Sequence, residues 1–173
     1  MIFLIKTAAA LAVALGFALA GKCTAMFYTG RVRVIREALL LISAAETGIR
    51  YSHFTVRELL WELEKNGGFA YLDFMGDCRR LLDSGEPFPS AWRKSIEERG
   101  ELCILLGEAA EYLKALGSDI GATDVEGQLT SCAYCKRMLT EELERREEKN
   151  RKSVRLFPLL GVMLGISAAI MII

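Results

Sequence analysis

Two cysteines three residues apart, Cys132-Ala133-Tyr134-Cys135, come nearest in type and spacing to doing chemistry. Such a pair can supply half of a tetrahedral zinc site or cycle between dithiol and disulfide. Zinc needs two further ligands, usually a second pair at comparable spacing, and Cys23, Cys78, Cys103 and His53 are scattered singly. A redox pair belongs at a helix start after a strand, where the dipole lowers the thiol pKa. This one falls well inside a helical pattern, so burial on an apolar face is the simpler reading. His53 has no serine or cysteine motif beside it to form a nucleophilic unit. Gly16 to Cys23 has the outline of a phosphate loop, but Cys23 stands where a magnesium-holding hydroxyl is required and the glycines lie in an apolar run. With no paired carboxylates, triad or phosphate cradle left, the sequence offers no foothold for an enzyme and implies no cofactor and no metal.

The elements around these residues read as helices. Thr55-Val56-Arg57-Glu58 and Thr123-Asp124-Val125-Glu126 have the pattern of a capping box, in which Thr and Glu satisfy each other's orphan N–H groups. Residues 30–51 carry an apolar stripe of Val34, Ala38, Leu41, Ile42, Ala45 and Ile49. A short helix with Leu59, Leu60 and Leu63 inward is expected to end at Gly67-Gly68. A third helix is expected over about 69–82, and the run from Asp83 to Pro89 is the clearest loop. Residues 90–98 then form a short helix with Trp92 and Ile96 on one face. Glu101 to Leu116 reads as a single helix, and Gly117 to Ala122 as the turn into the last one. That last helix places Val125, Leu129, Cys132, Ala133, Leu139 and Leu143 on one face. Both Trp61 and Trp92 are expected in the core. Glu141–Arg145, Glu142–Arg146, Glu147–Arg151 and Glu148–Lys152 are i,i+4 pairs in the favoured order, which suits a solvated helix. A partner-docking face is the other reading of that run. No stretch alternates as a strand would. The fold class is therefore all-α, a bundle of about six helices.

The ends differ in kind. Residues 1–21 are apolar apart from Lys6, and Leu156 to Ile173 contains no charge over eighteen residues. At 1.5 Å per residue that is about 27 Å, close to a bilayer's hydrocarbon thickness. Lys22, Arg31, Arg33 and Arg36 follow the first apolar run, and six cations from Arg145 to Arg155 precede the second. Basic residues beside a span favour the cytoplasmic side. The expectation is a membrane helix over 1–21, a cytoplasmic bundle over 22–155, a second membrane helix over 156–173, and both termini outside. Ala18-Leu19-Ala20 would also serve as a signal-cleavage site, which would make the rest a secreted module tethered to the membrane. The 22 basic and 22 acidic residues balance, which argues against a nucleic-acid partner. Five cysteines, an odd number, suit reduced thiols better than a secreted disulfide framework.

A linear order of short motifs resembles the stage III sporulation protein AB family of endospore-forming bacteria. Glu46-Thr47-Gly48-Ile49-Arg50-Tyr51 runs into Thr55-x-x-Glu58; Ala91-Trp92 follows; Leu116-Gly117-Ser118-Asp119 leads to Asp124, Glu126 and Gln128. Lys149-Asn150, Arg155, Leu160-Gly161 and Gly165 match the approach to the family's last apolar stretch. Val56 stands where the family favours proline, and about four residues around 120–123 look inserted. The resemblance implies a platform protein similar to those in the inner membrane of type II secretion and type IV pilus machines. It further implies a complex in the forespore's outer membrane, forming a channel between mother cell and forespore. Implied partners are a cytoplasmic secretion-type ATPase of the same operon, sister membrane proteins of the stage III complex, the lipid bilayer and a possible second copy. Arg50, Glu58, Glu62 and Arg93, charges beside the family-like motifs, are the candidate partner-docking residues. A thiol- or metal-dependent sensor built on Cys132 and Cys135 is the rival from another class.

Overall fold

The computed structural model describes the backbone of residues 2–52, 55–65 and 68–172, with side chains described mainly between 19 and 151. Seven α-helices and no strand occur among the described residues. They are α1 (Ile2–Thr47), α2 (Val56–Lys65), α3 (Phe74–Asp83), α4 (Phe88–Glu98), α5 (Gly100–Leu106), α6 (Ala109–Asp119) and α7 (Val125–Ile172). A π-helical turn, Gly48–Ser52, follows α1. The chain divides into two compact units, residues 1–32 with 145–173, and residues 33–144.

The second unit is an ordinary globular core made of helices. The stripe expected on α1 is buried throughout, from Val34 to Ile49. Leu59, Leu60 and Leu63 of α2, Phe74, Met75 and Cys78 of α3, and Leu139 of α7 are buried with it. Trp92 of α4 is the hub. Its ring meets Phe74 edge-on at 5.0 Å and Phe88 at 5.5 Å, and its indole N–H donates to the Leu113 carbonyl at 2.8 Å. A Cβ on Gly117 would lie 2.1 Å from Trp92 Cδ1, so only glycine lets α6 pass the indole this closely. Gly117 is therefore a packing residue inside α6, not the opening of a loop.

Other boundaries also differ from expectation, each for a local reason. The single helix expected over 101–116 is two, because Gly107 adopts φ 56° and ends α5. α3 begins at Phe74, not near 69, because residues before it are held from outside: the N–H of Tyr71 donates to the carboxylate of buried Glu37 at 2.8 Å. α4 starts at Phe88, with Pro89 in its first turn where the missing N–H costs nothing. The Thr55 cap forms as read: Glu58 accepts from Thr55 N–H at 2.8 Å, and Glu58 N–H reaches Thr55 Oγ at 3.3 Å. The second box does not. Asp124 caps α7 instead, accepting from Gly127 N–H at 3.0 Å, while Gln128 donates to the Thr123 carbonyl at 2.8 Å. Val125 and Ala133 are exposed, and Cys132, Cys135 and Leu139 carry the inward face of α7.

The first unit holds the parts of α1 and α7 that bear the apolar ends. Buried Arg146 of α7 donates to the Arg31 carbonyl of α1 at 3.0 Å. Arg146 is thus not on a wholly solvated face, and neither is Glu142, which is 9% exposed. Among the described residues no helix is long and apolar enough to cross a membrane. The expected spans 1–21 and 156–173 rest mostly on side chains outside the described set. His53 and Gly67, named above as a candidate and a helix stop, also lie outside it.

Candidate partner-docking surface

The motif residues divide into those that hold the bundle together and those that face outward. Ala91, Trp92 and Leu116 are buried and the Trp92 ring lies against Gly117, so two of the motifs are one joint between α4 and α6. Asp119 organises the turn into α7. Its carboxylate accepts from Ser131 Oγ at 2.6 Å, and its carbonyl from the N–H groups of Ala122 and Thr123. Gly121, at φ 77°, brings the backbone against Val56, to which a Cβ would come within 2.6 Å. The position read as a proline substitution and the apparent insertion around 120–123 therefore meet in space.

The π-helical turn belongs to the outward group. Glu46 anchors its approach, bonding Lys136 of α7 at 3.0 Å and Arg50 at 3.1 Å. The Lys136 ammonium, helped by Arg50, holds the Glu46 carboxyl below its ordinary value despite some burial. Ile49 points into the core, while Tyr51 is 75% exposed. A π turn inserts an extra residue per turn, which turns Tyr51 away from the packed stripe and is frequent at functional positions. On α2, Trp61 is half exposed with the Lys65 ammonium 4.7 Å from its ring centre. This corrects the expectation that both tryptophans are core residues. Leu59, Leu60 and Leu63 fill the inward face of α2 and leave Trp61 the opposite one.

Three of the four candidate charges fall in this stretch. Arg50 is exposed on the π turn and bonded to Glu46. Glu58 is engaged in the α2 cap, where the Thr55 N–H and hydroxyl lower its pKa. Glu62, one turn further on, is half-buried. Arg93 stands apart on α4, exposed beside Trp92. The exposed aromatics Tyr51 and Trp61 escape periodicity, which marks an apolar residue as inward; their positions between the stripe residues are the available signal.

An open groove of about 400 Å³ lies between the 70–73 turn and the junction of α4 with α5. Its walls are fixed by Arg99, which bonds Asp77 at 2.6 Å and also Asp73. Burial raises the Asp77 pKa, but the hydrogen bonds from Arg99 and Arg80 outweigh it and leave the carboxyl below its ordinary value. Tyr71, Glu98, Glu101, Leu102 and Leu105 complete the lining, which contains no nucleophile paired with a base.

Cys132 and Cys135 are buried, as read. Burial pushes their thiols up to about 11 and about 12, and Cys135 points its sulfur at the Tyr112 carbonyl, 3.4 Å away. A thiol kept protonated is a poor nucleophile and a poor metal ligand. Among the described residues no three His, Cys, Asp or Glu side chains come together to hold a metal.

A family model described as stage III sporulation protein AB matches residues 6–173, nearly the whole chain. No curated protein and no solved structure matches.

Proposed function

The chain belongs to the stage III sporulation protein AB family, and from that premise we propose that it is a non-enzymatic platform subunit of a membrane complex needed for sporulation. In this reading residues 1–21 and 156–173 cross the forespore's outer membrane, and the bundle lies in the mother-cell cytoplasm. The bundle docks a cytoplasmic secretion-type ATPase, and sister membrane subunits pack beside it to form the channel between mother cell and forespore. The observation that supports docking is a corner with two exposed aromatics, Tyr51 on the π turn and Trp61 on α2, each next in sequence to a candidate charge, Arg50 and Glu62. Exposed aromatics flanked by charge are what interface hot spots are made of. The rigid joint of Trp92 with Gly117 and the tie between Glu46 and Lys136 would let a push on that corner move the bundle as one body.

The test is co-purification of the full-length protein, in detergent, with the ATPase. Tyr51→Ala with Trp61→Ala should weaken capture tenfold or more, since two hot-spot aromatics cost about 2 kcal/mol each. Undiminished capture removes the corner from the interface. A flexible Gly-Ser insertion after Lys152 should abolish sporulation with the bundle still folded; normal spore yield contradicts a mechanical role for α7.

A further inference from the structure

The unit of residues 1–32 with 145–173 carries nine basic and two acidic side chains, a formal charge of +7. Not all of that charge is available. Arg146 is buried and committed to the Arg31 carbonyl, and the Arg31 guanidinium lies over the Phe27 ring, 5.8 Å from its centre. Lys22, Lys149 and Arg151 are exposed. Exposed apolar side chains, Leu19, Met26 and Phe27, lie in the same stretch of α1 as Lys22. Phe27 packs edge-on against Tyr28 at 6.2 Å, and aromatic pairs at such a border suit the headgroup level of a bilayer.

We infer that this unit is a surface selective for anionic phospholipid headgroups, contacted by Lys22, Lys149 and Arg151. The inference rests on the two-span reading above and adds the class of lipid. Cations near an anionic leaflet gain about a fivefold preference each, which zwitterionic lipid does not supply. An acidic protein surface would also attract these cations. It would leave unexplained why Leu19, Met26 and Phe27 are exposed in the same stretch of α1 as Lys22, whereas a bilayer interface, apolar at Leu19 and mixed at the headgroup level of Phe27, accounts for both. Arg146 contributes differently, by fixing α7 to α1 and so setting where the exposed cations stand.

The experiment is reconstitution of the full chain into bilayers of mixed phosphatidylglycerol and phosphatidylcholine, with spin-labelled analogues of each lipid reporting their share of the protein-contacting shell. Phosphatidylglycerol should be enriched about fivefold at low salt. The enrichment should fall towards parity in Lys22→Gln/Lys149→Gln/Arg151→Gln. It should fall likewise for the unmodified protein at about 1 M salt, where screening acts within about 3 Å. Equal shares at low salt, or a preference that neither neutralisation nor salt reduces, overturn the inference and leave the two-span reading intact. Failure to incorporate into bilayers of either lipid contradicts both.

Discussion

Residues 33–144 carry 13 basic and 20 acidic side chains, a formal −7, against the +7 of residues 1–32 with 145–173. The acidic unit builds a core of its own, in which Val34, Ile35, Phe74, Ile96, Leu106 and Leu113 are all fully buried, and leaves a few large apolar side chains such as Leu40, Tyr51, Trp61 and Ile104 exposed. In the basic unit the described apolar side chains are mostly outward, with Ala25 and Val32 buried and Leu19, Met26, Phe27, Leu159 and Met163 exposed. A chain of zero net charge is thus two regions of opposite charge that differ in how far they bury their apolar side chains. The basic unit exposes most of its described apolar side chains, which a bilayer would cover in the function proposed above.

The sharpest way to break the contrast is to damage the core of the acidic unit. Trp92→Ala removes the hub and the bond to Leu113, and should cost about 3–5 kcal/mol, read as a lower denaturant midpoint. Gly117→Ala drives a Cβ into the same indole and should cost about 1–3 kcal/mol. If that collision is the cause, the two changes together will be less damaging than their sum. Glu37→Leu strands the Tyr71 N–H and should cost a comparable, slightly smaller 1–2 kcal/mol, about what an unsatisfied buried donor costs.

Acid should act on the same unit more gradually. The Glu46, Glu58, Asp77 and Glu86 carboxyls are all held below their ordinary values in the folded protein. Their contribution is therefore complete above the ordinary carboxylate range and is lost as pH falls through it, because the unfolded chain takes up protons first. Unfolding midpoints measured from pH 7 downwards should decline below about pH 4.5, where Glu normally titrates. Cysteine modification gives the smallest effect and separates the units directly. Exposed Cys23 should react in the folded protein, while Cys78, Cys132 and Cys135, with thiols pushed to about 11 or 12, should react only after unfolding. Rapid modification of Cys132 in the folded protein would reopen the sensor reading.

What can be read from the residues follows the same division. The α1 stripe and the Thr55 cap are legible because their determinants are local: a 3.6-residue period and a reciprocal pair three positions apart. Gly117 reads as a turn residue because a glycine's use depends on what passes it, and Trp92 is 25 residues away in sequence. The Glu37 bond to Tyr71 spans 34 positions and leaves no pattern, so the start of α3 moves with it. A lone glycine is tolerable inside a helical run, yet the positive φ of Gly107 splits α5 from α6. Thr123 loses the α7 cap to Asp124 because Thr123 Oγ bonds the Asp119 carbonyl instead. Of the candidate docking residues, the charges follow from motifs, whereas Tyr51 and Trp61 become visible only once the inward faces are known.

The proposed function puts the acidic bundle on the cytoplasmic side, held there by two apolar anchors. Arg93 is exposed on α4, so Arg93→Cys in a background with Cys23 and Cys103 replaced provides one accessible thiol on the bundle. Sealed membrane vesicles of both orientations, treated with a membrane-impermeant maleimide, read its side directly. Labelling only when the cytoplasmic face is outward is the predicted result. Labelling only from the opposite face would contradict the account and return the bundle to a tethered module outside the cytoplasm.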